Sequence, residues 1–335
     1  MDQIALGTSG RHTTRLGFGC SSLIGATTRR ESLRLLETAF DAGIRHFDVA
    51  PMYGYGEAES CLGEFLQRHP GQLTVTTKYG IAPPKNSAVL KLGRRIANPL
   101  LKRIPSLKKT LAHAANAATR NDLRPAFTAA EARASLHRSL AALRTDRIDL
   151  WLLHEATASD LADDALLSVL ESEVEAGTVG GFGTGSGVQN IPALLAERPA
   201  YCHTLQYEWS VLDTPIDPQT FQAIQLAKPF RIHHRALTDN FRTLHSALIN
   251  NKPVAQRWSE ATSTDLRQSE ALACLMLKAA LVLNPDSIIL VSSKSPKHIQ
   301  SNVRTAIDAA LDQPARTLYA LVLQEHSQLL PKPLP

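Results

Sequence analysis

Cysteine is scarce: Cys20, Cys61, Cys202 and Cys274 are the only four in 335 residues. None is spaced as a CxxC pair, and four are too few for a disulfide scaffold of this length. Buried structural thiols are the expectation. Glycine (18) and proline (19) are too rare for a collagen-like or low-complexity chain. No stretch approaches the ~20 consecutive apolar residues of a spanning helix. Residues 1–15 contain Asp2, Arg11 and His12 and no apolar run, unlike a secretory signal peptide. A soluble, cytoplasmic protein with no membrane span is expected. Hydrophobic residues make up 44% of the chain, which excludes wholesale disorder.

Acidic residues are in slight deficit. Lys plus Arg is 36 against 31 Asp plus Glu, a net +5. The excess is local: residues 81–127 hold ten basic residues and one acid, Asp122. That segment is +9, which leaves the rest of the chain at −4. The basic isoelectric point therefore gives no reason to expect a nucleic-acid partner. The segment itself has three readings: a solvated excursion, a lid over a site, or a surface-binding arm.

Short apolar runs at 16–20, 44–49, 73–78, 148–154, 180–183, 203–206, 230–234 and 287–292 alternate with amphipathic stretches. The latter fall at 30–42, 56–69, 128–143, 159–175, 191–197, 220–227, 266–283 and 296–311. Thr128 with Glu131 three residues on has the pattern of a capping box. The apolar runs lack alternation, as strands of a parallel sheet covered by helices do. Eight strand–helix pairs predict an α/β fold, a (β/α)8 barrel, over a single domain of residues 1–335. No Gly-, Pro- or Ser-rich linker divides it. Residues 1–14 are expected to form a hairpin closing the barrel bottom.

Active sites of such barrels lie at the C-terminal ends of the strands. Three apolar runs end in chemistry-bearing residues: Asp48, Lys78 and His154. Tyr53 follows Asp48 by five residues in the loop FDVAPMYGYGEAE. A phenol has an unperturbed pKa near ~10, and a neighbouring ammonium lowers it. Lys78 would be that ammonium, Asp48 would brace it, and His154 would hydrogen-bond a substrate oxygen. This is general-acid apparatus for protonating an alkoxide as it forms from a carbonyl. No nucleophile with an adjacent base is evident, so a hydride donor is implied. A metal is not expected: His233 and His234 point to opposite faces of a strand and cannot both join His154.

FDVAPMYGYGEAE, TTKYG, IDLWLLHE, LQYEWSVLD and SSKSPKHIQSNV resemble the aldo-keto reductase superfamily over most of the chain, residues 83–125 excepted. The resemblance implies the tetrad Asp48, Tyr53, Lys78 and His154, with Tyr53 as general acid. It implies reduction of an aldehyde or ketone with NADP(H), NAD(H) also being possible, the dinucleotide lying extended across the barrel mouth. GGFGTGSG does not fit the G-x-G-x-x-G spacing of a Rossmann site in any register. By the same resemblance Gly185-Ser186 and Gln206 would hold the nicotinamide carboxamide, and His234 would stack on the ring. Arg235 would meet phosphate, where the family often has Ser. Ser292, Ser293, Lys294, His298 and Asn302 would form the adenosine-phosphate site, with Lys297 near. Ser292 and His298 stand where NADPH-specific members often carry Lys and Arg. NADPH is favoured over NADH by the local positive charge. Two alternatives stand beside carbonyl reduction: an NAD(P)-dependent sugar or polyol dehydrogenase, and a cofactor-sensing regulatory subunit with little turnover. The resemblance implies a small carbonyl compound or sugar as substrate.

Overall fold

The computed structural model describes residues 1–25, 27–83, 126–213 and 216–329. Nearly all of the basic segment 81–127 lies outside the described residues.

Apolar, β-branched runs become eight parallel strands: β3 (Leu16–Gly19), β4 (His46–Asp48), β5 (Thr74–Tyr79), β6 (Leu150–His154), β7 (Phe182–Gly185), β8 (Thr204–Glu208), β9 (Phe230–His234) and β10 (Ser287–Val291). They close in chain order, with β10 pairing both β9 and β3. The expected (β/α)8 barrel is the observed fold. Outward side chains such as Phe18, Phe47, Trp151 and Ile289 are fully buried under the surrounding helices. Inward side chains fill the bore.

A two-stranded antiparallel hairpin, β1 (Gln3–Ala5) and β2 (His12–Thr14), precedes the barrel. Its turn caps the N-terminal mouth. Leu6 is fully buried against Leu150, Ile232, Ile288 and Leu290. Burying a leucine this way contributes roughly 1.5–3 kcal/mol. Arg11 pairs with Asp149 at 3.3 Å, and Arg147 donates to the Ser9 carbonyl at 2.8 Å.

Some helix starts follow capping chemistry. Thr128 accepts from the Glu131 amide and starts helix Ala129–Leu143. A complete capping box lies elsewhere, at Thr28 and Glu31, and starts helix Arg29–Asp41. Several sequence expectations shift. The strand expected at 180–183 runs Phe182–Gly185; Gly180 instead packs against the hairpin, where a Cβ would fall 2.8 Å from that of Ser9. The helix expected at 159–175 breaks into a short 3-10 turn and helix Asp164–Glu175, because Asp163 caps Ala165. The helix expected to reach 311 stops at Ile307, where Asp308 turns extended and caps a 3-10 turn. Three helices were not foreseen: Thr238–Asn250, Lys252–Thr262 and Asp312–Leu329. With helix Ser269–Leu283 they form a second core around Trp258, Leu272 and Leu318. Among the described residues, no helix is long and apolar enough to cross a membrane.

Candidate active site

Side chains alternate along a strand, so His46 and Asp48 on β4, and Thr74, Thr76 and Lys78 on β5, all face the bore. His46 sits between the two threonines, with its Nδ1 3.0 Å from Thr74 Oγ1 and its Nε2 3.2 Å from Thr76 Oγ1. Burial pushes this imidazole down to about 4, so it is a neutral floor for the residues above.

On that floor stands a buried ion pair. Lys78 Nζ donates to Asp48 Oδ1 at 2.6 Å and to the Val49 carbonyl at 3.0 Å. Gln206 Nε2 donates to the other carboxylate oxygen, Oδ2, at 2.8 Å. Lys78 and Asp48 are 2% and 3% exposed, which is tolerable only because both charges are paired and hydrogen-bonded. Burial works against the ammonium, but the Asp48 carboxylate beside it holds Lys78 above its ordinary value.

Tyr53 reaches the pair from the loop after β4. The backbone there is left-handed at Gly54 (φ 58°) and Tyr55 (φ 60°). A Cβ on Gly54 would lie 2.7 Å from the Leu23 carbonyl oxygen, so this position requires glycine twice over. The Lys78 ammonium lies 5.3 Å from the centre of the Tyr53 ring. The His154 ring stands edge-on to it, 6.3 Å between centroids at 88°. A phenol lowered by Lys78 was the expectation. The net direction is upward: burial raises the Tyr53 pKa more than the Lys78 ammonium lowers it. Tyr53 is therefore a protonated phenol at neutral pH.

These four side chains line one cavity of about 430 Å³. Of the residues suggested for a cofactor, Ser186, Gln206, His234, Arg235, Ser292 and Asn302 line it too, whereas Ser293, Lys294 and His298 do not. His233, next to His234, is fully buried on the outer face of β9. Cys20 is buried and bonds the Phe18 carbonyl, not the cavity. The sequence reading missed Ser21, Glu155, Glu208 and Thr238 in the wall. Glu155 directly follows β6 and Glu208 is the last residue of β8, and that position was the available signal.

Can this wall hold a dinucleotide? The cavity runs from Lys78 out to Ser292 and Asn302. Beside it, helix Pro296–Ile307 begins with no side-chain cap on its first amides and with proline at its start. Unclaimed amides at a helix N-terminus suit phosphate. Arg235 adds a guanidinium at the rim, paired to Glu208 at 3.5 Å. Ser186 spends its hydroxyl on the Ala156 carbonyl at 2.7 Å, and Ser292 meets Ser22 at 3.0 Å. The residues fit an anionic dinucleotide.

A family model described as the Aldo/keto reductase family matches residues 15–313. D-threo-aldose 1-dehydrogenase from Pseudomonas sp is 37% identical over 184 residues, 52% of this chain and 50% of that protein. The chain spans about half the length, or less, of the curated relatives it matches. Solved aldo-keto reductase structures share its fold, among them these two. The holo aldo-keto reductase from Bacillus halodurans has a TM-score of 0.66 at 19% identity, covering 95% of this chain and 96% of that one. An aldo-keto reductase from Klebsiella pneumoniae in complex with NADPH has a TM-score of 0.63 at 16% identity, covering 100% and 98%.

Proposed function

The chain belongs to the aldo/keto reductase family, and on that premise we propose that it is an NAD(P)H-dependent oxidoreductase reducing an aldehyde or ketone to an alcohol. When bound, the reduced dinucleotide supplies the hydride that no side chain here can. Tyr53 gives its phenolic proton to the carbonyl oxygen as negative charge builds there. A good acid for this step is protonated at rest and stabilised once it has ionised. Burial provides the first property, and the Lys78 ammonium the second. Asp48 keeps Lys78 charged and in place, and Gln206 fixes Asp48. His154 aligns the carbonyl oxygen with Tyr53. Ser186, Gln206 and His234 would hold the nicotinamide end. Arg235, Ser292, Ser293, Lys294, His298, Asn302 and the open helix start would hold the phosphates. NADPH is the favoured donor, on the strength of the positive charge of Lys294 near the adenosine-phosphate residues.

The observation that carries this reading is the buried, fully bonded Lys78–Asp48 pair opening onto a cavity that also presents Tyr53. The test is carbonyl-dependent oxidation of NADPH and NADH by the purified chain across aldehydes, ketones and aldoses. The reading expects turnover on at least one class. Tight dinucleotide binding with no turnover on any of them would instead support a cofactor-sensing subunit.

A second reading, oxidation of a sugar or polyol, is favoured by the aldose dehydrogenase relative and by the polar wall at Ser21, His154 and Glu155. Rates measured in both directions with both dinucleotides separate the two.

A further inference from the structure

Arg235 stands in a wall between two cavities. One is the 430 Å³ space above Lys78; the other, about 790 Å³, lies beyond β8 and β9 and is lined by the acids Asp213, Asp239 and Asp286. Glu208, Arg235 and Thr238 line both.

The backbone at Arg235 is fixed. Its φ is 64°, the Thr238 hydroxyl donates to its carbonyl at 3.3 Å, and the preceding carbonyl of His234 accepts from the Trp209 amide at 3.0 Å. The guanidinium is not comparably fixed. Its partner, Glu208, is 3.5 Å away, and the two side chains are 55% and 36% exposed. Ion pairs this open are weak. Asp213 is turned to Asn240, which donates to it at 2.8 Å.

A diphosphate offers the guanidinium two parallel hydrogen bonds and a higher charge density than one carboxylate. Glu208 also places a negative charge in the cavity that an anionic ligand must enter. We propose that Arg235 is a shared clamp: Glu208 holds its guanidinium in the free protein, the diphosphate of a dinucleotide takes it over, and Glu208 thereby sets how tightly the dinucleotide is held. This rests on the dinucleotide reading above and goes beyond it by giving Glu208 a role. Glu208 is a positioning residue, acting through Arg235.

The test is fluorescence titration of the full chain with NADPH, for wild type, Glu208→Gln, Arg235→Met and the double variant. Glu208→Gln should lower Kd about fivefold, the scale of one solvent-facing ion pair. Arg235→Met should raise Kd about tenfold, as expected for loss of a charge-assisted contact. The double variant should gain much less over Arg235→Met than Glu208→Gln gains over wild type. Inorganic pyrophosphate should compete more strongly with NADPH in Glu208→Gln than in wild type. Glu208→Ala replaces the glutamine variant if the latter fails to melt cooperatively. Glu208 variants that bind NADPH no more tightly than wild type overturn the clamp. So does an equal gain in the Arg235→Met background, which would make Glu208 a simple repulsive charge. Absence of saturable binding in the wild type itself would sink the dinucleotide reading and the clamp with it.

Discussion

At the N-terminal mouth of the barrel, Leu6 plugs the bore against Leu150, Ile232, Ile288 and Leu290, and Arg11 and Arg147 tie the hairpin turn down. At the C-terminal mouth, Asp48, Lys78, His154 and Gln206, at or near the ends of β4, β5, β6 and β8, leave an open cavity. The layer between is polar but uncharged: His46 between Thr74 and Thr76. One end spends its side chains on packing, and the other holds a buried charge pair that a well-packed apolar pair would match or exceed in stability. That difference teaches where to look. Stability without chemistry points to the closed mouth, and retained buried charge points to the open one.

The largest expected effect is at the open mouth. Lys78→Met leaves Asp48 charged, buried and short of its main partner, which costs about 3–5 kcal/mol. Urea unfolding would read it, and Lys78→Met with Asp48→Asn should recover much of the loss. A cost below about 1 kcal/mol, the range of exposed pairs, would contradict a buried pair. At the closed mouth, Leu6→Ala should cost about 3 kcal/mol of stability and leave kcat/KM unchanged. A parallel fall in kcat/KM would show that the two mouths are coupled and break the comparison.

The middle layer gives a smaller, pH-dependent effect. His46 is held down to about 4 by burial, and His233, outside the barrel wall, to about 3. In the unfolded chain both take up protons near their ordinary 6.5. Their contribution is therefore complete above that value and lost as pH falls through it toward the folded values. Each should steepen the acid-side decline by about 1.4 kcal/mol per pH unit. His46→Asn should flatten the urea midpoint between pH 6 and pH 4.5 by about one proton's worth. An unchanged slope would mean that His46 is not shielded as described.

Much of this was legible in the sequence. Parallel strands buried on both faces read as plain apolar runs, so eight of them can be counted in the sequence alone. Asp48, Lys78 and His154 stood out as polar residues terminating such runs. Gln206 did so only through the family resemblance, because a glutamine at a strand end has no chemistry until Asp48 is seen beside it. Glu155, Glu208 and Ser21 were missed because the walls of a mouth are assembled from many loops at once. The helices Thr238–Asn250 and Asp312–Leu329 were missed because pairing each strand with one helix left no place for further ones. The direction of the Tyr53 shift was read wrongly because spacing reveals a neighbouring lysine but not the depth of burial.

The central claim is that Tyr53 supplies the proton and does not hold the dinucleotide. Tyr53→Phe removes only the hydroxyl. The measurement is carbonyl reduction by this variant beside its Kd for NADPH. The account expects turnover to fall by about 10²–10⁴-fold, the share of a general acid, with Kd within about twofold of wild type, well under the tenfold that 1.4 kcal/mol represents. Turnover near the wild-type level with Tyr53→Phe would contradict it.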